Sequence, residues 1–435
     1  TAGLTFDEWK YSDDYEAIMK EFTNYQYEVR FLRAYFYFEL IKRYRNIPFV
    51  LDVLAQNEAN GVNPESYEKI AKFIVDECSD LAQILPVNYD NFSTKEKGRV
   101  TRAAAMALKS RVTLYMASPL FSEDSEDKWK QAAEAAYDII KQKTDLGLDL
   151  VPYPQIFNDV NNQKAEVILY RPTGESGDFE KANFPIGVEG GKTSTCPTQN
   201  LMEAYDMKDG TPFVWNNQSN PYDNRDPRMK YTIVCNEMKW PVDPVEIWEG
   251  GTNGLPLQNA TTTGYYLKKY VNNTISFEAG STVTKKQHNW VLFRYGEILL
   301  NYAEAMINAF HDPNYKDAVY NMSAREAVNQ IRGRTNISLP GFPSDITEKD
   351  FVKRLKNERR VELAFEGHRF WDVRRWKELG QTANIYGVKI TKNNEVISYE
   401  KFLLETRAVT DNMYFYPIPN TERFKNPNLG QNPGW

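Results

Sequence analysis

Apolar residues recur at three- and four-residue steps over both ends of the chain, which predicts helices there. Across Asp13–Tyr44 the step is kept by Tyr15, Ile18, Met19, Phe22, Tyr25, Val29 and Leu32, and Pro48 ends the segment. Asn63-Pro64 opens a second helix, with Pro64 in its first turn, that runs to about Leu85 before Pro86. Thr101–Met116 is rich in small residues; Ala103, Ala104, Ala107 and Ser110 let a neighbouring helix approach closely, and Trp129–Lys143 follows as its partner. Phe293–Phe310 with Ala324–Arg334, then Phe351–Glu366 with His368–Leu379, predict two more pairs. Two pairs thus precede residue 145 and two follow residue 290. Helix, short loop, helix, with alanine at the contacts, is the pattern of tetratricopeptide-like hairpins.

The last pair is where polar and apolar positions conflict. On a helix at about 100° per residue, Phe351, Leu355, Glu358, Glu362, Phe365 and Glu366 share one face. Burying a bare carboxylate costs several kcal/mol, so each glutamate needs an arginine or a backbone donor beside it. The segment itself offers Arg354, Arg359, Arg360, Arg369, Arg374 and Arg375. Gly367 permits a break, after which Phe370, Trp371, Val373 and Trp376 face a second helical turn with aromatics.

Between the helical ends, residues 147–289 lose the helical period. They carry Pro152, Pro154, Pro172, Pro185, Pro197, Pro212 and more, with short β-like runs at Glu166–Tyr170 and Tyr231–Val234. A long irregular insertion is functional or disordered, and its tryptophans argue against disorder. Residues 384–415 form a smaller, partly extended excursion, and the proline-rich tail from Tyr416 predicts a segment laid across the surface. The expected fold is mostly α: four tetratricopeptide-like helix hairpins as a scaffold, with a large loop-rich, mixed subdomain packed on it. Its parts are 1–146, 147–289, 290–380 and an extended 381–435, interlocked as one unit.

Composition narrows the function. In 435 residues no apolar run reaches the length of a transmembrane helix. A net charge of −6 argues against nucleic acid as the main partner. Three cysteines are no disulfide framework: Cys78 reads as a small buried apolar residue, and Cys196 and Cys235 could be bridged in an oxidising compartment. Catalytic signatures are missing. His288, His311 and His368 have no metal-type spacing, and no GxSxG elbow occurs. Gly187–Thr193 is one residue short of a phosphate loop and has no strand leading into it. The pairs Glu358/Glu362 and Asp206/Asp209 could in principle serve glycoside hydrolysis, but arginine pairing and a surface turn explain them better. Asp159, Asn161 and Asn162 hold oxygen ligands, so a structural Ca²⁺ is possible although no EF-hand pattern is present; no other cofactor is expected.

The aromatic content is high at 14%, with 9 Trp, 27 Tyr and 23 Phe, more than a core needs. Oligosaccharides present flat C–H faces edged by hydroxyls, so a binder needs Trp or Tyr platforms flanked by amides and charges. Each platform burying roughly 50–100 Å² contributes roughly 1–2.5 kcal/mol. Two of them with a few hydrogen bonds give a Kd of roughly 10 μM to 1 mM. The insertion offers Trp215, Tyr222, Trp240 and Trp248, with Asn216, Asn217, Gln218, Asp223, Asn224 and Arg225 as polar edges. Trp9 is an outside candidate. Tyr265, Tyr266 and Trp290 read as structural, as does Arg225–Arg228. Glu297, Asn301, Glu304 and Asn308 make a polar helix stripe that is either solvated, hydrogen-bonded or turned to another protein.

Asn357–Trp376 (NERRVELAFEGHRFWDVRRW) resembles the C-terminal hallmark of the SusD/RagB family of surface glycan-binding lipoproteins. Arg30–Tyr44, Pro197–Pro212, Phe293–Ala305 and Tyr416–Trp435 agree in order, so the resemblance covers nearly everything from about Tyr25 onward. It implies the repeat period that the helical pattern alone does not carry. It also implies non-catalytic capture of an oligosaccharide and its delivery to a SusC-like TonB-dependent transporter of the outer membrane, the helices facing the transporter and the insertion carrying the ligand. Family members normally carry a signal peptide and a lipid-attachment cysteine. Neither opens this sequence, so the expected anchor residue on the extracellular face lies outside it. A peptide-binding RagB-like lid and a pure protein-interaction scaffold are the alternatives.

Overall fold

Helix starts follow from local chemistry. The hydroxyls of Ser66, Thr101, Ser125, Ser323 and Thr347 each accept the backbone N–H three residues on, and Glu326 closes a capping box on Ser323. The chain is described by a computed structural model covering all residues except 1–10, 12–13, 93, 95, 124, 217–219, 242 and 279–283. The long helices are α1 (Tyr15–Tyr44), α2 (Tyr67–Ile84), α3 (Arg102–Ala117), α4 (Glu126–Lys141), α5 (Tyr295–Phe310), α6 (Ala324–Arg332), α7 (Glu348–Glu362) and α8 (His368–Arg375). Among the described residues no helix is long and apolar enough to cross a membrane.

The architecture is mostly helical and built of tetratricopeptide-like hairpins, as the pattern predicts. Each helix packs on the next in the series α1, α2, α3, α4, and α4 packs on α5 across the chain break made by the insertion. Ala103, Ala104, Ala107 and Ser110 of α3 are all buried, as are Ala132, Ala133 and Ala136 of α4, so the backbones approach closely. Two details differ from the sequence reading. Pro64 does not open α2: it pairs with Pro48 in a two-residue antiparallel ladder, and Ser66 is the cap. In α1 the stripe Tyr25, Val29, Leu32 is exposed, while Phe31, Ala34, Phe38 and Ile41 form the buried face. That helix is apolar on two sides, so its periodicity finds the helix without saying which side is inside.

The insertion leaves and re-enters at one place. Strand β1 (Val167–Pro172) pairs antiparallel with β2 (Asn289–Arg294), which runs directly into α5. Inside it, Ile233–Val234 pairs with Tyr266–Leu267 around a second core that includes Tyr265, Tyr266, Val245 and Ile247. The later excursion is a regular hairpin, β3 (Asn384–Asn393) with β4 (Val396–Thr406), closed on the insertion by Glu249 N–H to Ile390 O and Val388 N–H to Thr263 O. The tail lies on the end of α1: Tyr416 N–H donates to Arg43 O, and the side chains of Asn426 and Asn432 donate to Val62 O and Tyr44 O. Cys78, Cys196 and Cys235 are all free thiols.

Glu358 and Glu362 of α7 and Glu366 just beyond it are buried and paired, but mostly with distant partners. Arg294 at the end of β2 reaches Glu166 (2.7 Å), Glu362 (2.9 Å) and Glu366 (2.7 Å). Arg334 also meets Glu166 and Glu362, each at 3.0 Å. Arg228 of the insertion binds Asp226 (2.7 Å), Glu358 (2.5 Å) and Glu362 (2.9 Å); Arg332 reaches Glu358 (2.8 Å) and Lys269 reaches Glu366 (2.9 Å). Every one of these side chains is at most 3% exposed, so the Glu358/Glu362 pair is structural and not available for hydrolysis. The segment's own arginines serve elsewhere: Arg359 and Arg375 hold Asp372 (3.3 and 2.8 Å), and Arg375 also clamps Glu304. The polar stripe of α5 is therefore neither solvated nor turned to another protein over Glu297, Asn301 and Glu304. Arg111 pairs with Glu297 (2.6 Å), Asn301 accepts from Arg359 (2.9 Å), and Trp376 Nε1 donates to Glu304 (2.6 Å).

Removing one member of a buried set strands its partners at a cost of about 3–5 kcal/mol. Urea unfolding of Arg294→Met is expected to show that loss, because three glutamates lose their shared cation. Arg30→Ala, which removes a surface pairing with Glu77 and Asp80, should cost under ~1 kcal/mol.

Candidate ligand-binding site

The groove whose lining fits a sugar runs along the insertion where it abuts the helical frame. It has a volume of about 510 Å³. Its aromatic wall is Phe157, Tyr231, Trp240 and Tyr270. Asn158, Asn272 and Asn273 stand on its polar side with Lys239, Lys268 and Lys286. Among the described residues of the lining Asp159 is the one carboxylate, and Lys286 pairs with it at 3.4 Å.

The aromatic wall is braced from behind. Tyr270 packs on Phe157 (centroids 5.0 Å apart) and on Trp290 (5.0 Å), and Trp290 stacks on His288 at 5.2 Å. Lys269 holds this wall to the buried ion pairs, its ammonium 3.9 Å from the Phe157 ring centre and 2.9 Å from Glu366. Burial pushes the Lys269 ammonium down to about 8 against the pull of Glu366. Burial works to raise the Glu366 carboxyl, but Arg294 and Lys269 outweigh it and hold it at about 2. Trp240 is 5% exposed and Lys268 lies 5.3 Å above its ring, so its face is not an open platform; its Nε1–H is buried without a partner at the groove.

The other candidates do not gather here. Tyr222 is half-buried, edge-on to Tyr265 (6.2 Å) and Tyr399 (5.4 Å), with its hydroxyl buried. With exposed Asp223 it borders a separate depression of about 260 Å³. Trp215 is half-buried and stands 6.4 Å from Phe213 at 72°, with Asn216 exposed beside it. Trp248 is half-buried under Lys392, whose ammonium is 4.3 Å from the ring centre. Trp9, Asn217 and Gln218 lie outside the described residues. Asn161 spends its amide on the Ile156 and Asn289 carbonyls, and among the described residues no cluster of three His, Cys, Asp or Glu side chains could hold a metal. What sequence reasoning missed is the run Lys268–Asn273, LysLysTyrValAsnAsn, immediately after Tyr265-Tyr266. Its alternation of charge, ring and amide is a local signal, but nothing local shows that it faces Trp240.

A family model described as the SusD family matches residues 156–435. The chain belongs to the SusD family. A SusD-like protein of Bacteroides fragilis has the same fold at a TM-score of 0.78 with 26% identity, over 98% of this chain and 81% of that one. A SusD-like carbohydrate-binding protein from the same organism gives 0.76 with 27% identity, over 93% and 79%. A curated relative, SusD-like protein P2 of Formosa agariphila, is 29% identical over 163 residues, which is 36% of this chain but only 28% of that protein's length.

Acid should unfold this SusD-family chain mainly below pH 5. Burial, opposed by Glu297, lowers the His368 imidazole to about 4, so between pH 6.5 and 4 the unfolded chain takes a proton the folded chain refuses. Asp206, raised to about 6 by burial, takes a proton in the folded chain between pH 6 and 3.8 and offsets most of that loss. Glu366 acts as His368 does between pH 4.5 and 2, and Glu297, Glu304 and Glu358 are likewise held low despite burial, with no comparable group opposing them. Calorimetric Tm is therefore expected to change little from pH 7 to 5 and to fall from 5 to 3. Glu366→Gln should start lower and fall less; a flat profile would contradict the assignment.

Proposed function

We propose that this protein binds oligosaccharides without cleaving them, on the outer face of the outer membrane, and delivers them to a SusC-like TonB-dependent transporter. The observation that carries the reading is the groove itself: the half-buried Tyr231 ring beside Asn272 and Asn273, with Asp159, the one carboxylate among the described residues of the lining, paired to Lys286. The carbohydrate-binding relative of the same fold supports it. Tyr231, half-buried, gives a ring a partial platform, and the exposed amides and ammoniums reach hydroxyls at its edge. One partial platform with a few net hydrogen bonds of about 1 kcal/mol each suits a protein that must release what it captures. Many copies on a surface would offset the weakness through avidity. Lipid anchoring at the membrane is part of the same proposal.

The transporter side of the reading rests on α1. Tyr25, Val29, Leu32, Phe36 and Leu40 lie within one arc of that helix and are 41–62% exposed. A stripe of five apolar residues over four turns is a surface that a large, lasting partner would cover.

Titration calorimetry against a panel of neutral oligosaccharides is expected to find ligands with Kd between ~10 μM and ~1 mM. Tyr231→Ala should weaken the best of them at least about fivefold, the loss of roughly 1 kcal/mol of stacking, and Trp248→Ala should leave it unchanged. Binding of peptides with no glycan bound, or release of reducing sugar, would overturn the reading.

Phe36→Asp with Leu40→Asp is expected to abolish co-purification with the transporter from membranes. Glycan affinity should stay the same, because none of the stripe residues lines the groove.

A further inference from the structure

A second groove, of about 840 Å³, is a different surface with a different chemistry. One wall is α7, and along it Lys349, Lys353, Lys356 and Arg360 follow at steps of four, three and four residues, so they form one stripe roughly 16 Å long. Arg369 stands at the head of that stripe and lines the same groove. Five carboxylates share the lining: Glu203 is bound to Lys401 (2.8 Å), Glu378 to Lys356 (2.5 Å), and Asp206 to Arg332 (3.4 Å) and Arg354 (3.8 Å), while Asp345 and Asp350, near the first turn of α7, stand at the end of the stripe away from Arg360.

Arg360 is the anomaly. Arg354, Arg359 and Arg375 of the same segment each face a carboxylate, and so do the buried Arg228, Arg294, Arg332 and Arg334. Arg360 is half-buried and has no hydrogen bond or carboxylate partner among the described residues, and Arg369 donates only to the neutral amide of Gln381 (2.8 Å). Burial and the neighbouring Arg369 push the Arg360 guanidinium down to about 10, outweighing the opposing pull of Tyr205 and Glu203. A forked, weakly hydrated donor held without a carboxylate is a ready partner for an oxyanion.

We infer that this groove binds acidic oligosaccharides, with carboxylate or sulfate substituents seated on Arg360 and Arg369 and the following charges on the Lys353 and Lys349 ammoniums. The inference rests on the reading of the chain as a glycan binder and adds the ligand's charge class and a second contact surface.

Titration calorimetry at 50 and 300 mM NaCl tests it with four probes of matched length: oligogalacturonate, dextran sulfate oligomers, neutral dextran oligomers and oligoglutamate. At least one of the two acidic saccharides is expected to bind, weakening tenfold or more at the higher salt; which one binds separates carboxylate from sulfate. The Lys353→Gln/Arg360→Gln double variant should lose at least tenfold for that saccharide and keep the wild-type affinity for whatever neutral glycan the aromatic groove takes. Arg360→Lys, which keeps the charge but not the fork, should fall between. Equal binding by wild type and double variant, failure of both acidic saccharides, or binding of oligoglutamate alone would overturn the inference. If a neutral glycan still binds and loses affinity with Tyr231→Ala, only the acidic site has failed; if acidic saccharides bind through Arg360 and no neutral glycan binds, the aromatic groove has failed instead.

Discussion

Five carboxylates and five cations buried in one cluster set the constraint on everything else in this molecule. Glu166, Asp226, Glu358, Glu362 and Glu366 meet Arg228, Lys269, Arg294, Arg332 and Arg334 in direct ion pairs. Such a cluster is a poor source of net stability, since desolvation offsets most of the attraction. What it supplies is intolerance of any other arrangement. Each charge is acceptable only with its partners in place, and those partners come from four separate stretches: the strands flanking the insertion, the insertion itself, α6 with its following turn, and α7. Misplacing any one of them would leave a bare charge in the interior.

The consequence for function is that a long loop-rich segment is held as firmly as a helix would be. Arg228 and Lys269 are its two pins. Lys269 also touches Phe157 and Tyr153, so the same residue that closes the charge cluster braces the aromatic side of the proposed glycan groove. A preformed groove loses little ordering entropy when a ligand enters, which lets a few partial contacts suffice for weak, reversible capture. The charged groove on α7 is built on the opposite principle: its cations sit on the solvent side of a helix whose other side carries Glu358 and Glu362 into the cluster.

How much of this could be read in the sequence depends on the range of the signal. Helices with a single apolar face, such as α2 and α4, follow from spacing, although their starts do not: the caps are Ser66, two residues beyond Pro64, and Ser125, four before Trp129. The need for arginines beside Glu358, Glu362 and Glu366 is equally plain, because buried carboxylates demand them. Which arginines is not, since Arg294 and Arg228 are 68 and 134 residues from Glu362. The same limit governs the site. Trp240 stands out by composition, but Phe157 and Tyr270, which line the groove with it, come from turns far away in the chain, and Trp215 and Trp248, equally conspicuous and packed on the same core as Trp240, do not line it. In α1 the failure is of another kind: two apolar faces give the periodicity no way to choose, and the unpaired one is the surface proposed for the partner.

Hydrogen exchange read by mass spectrometry on the free protein addresses the central claim without any ligand. If the charge cluster fixes the insertion to the frame, amides of residues 265–274 should exchange on the timescale of α5, residues 295–310. Exchange of 265–274 as fast as the exposed hairpin turn at 393–396 would mean that the groove is not preformed, and the account would fail.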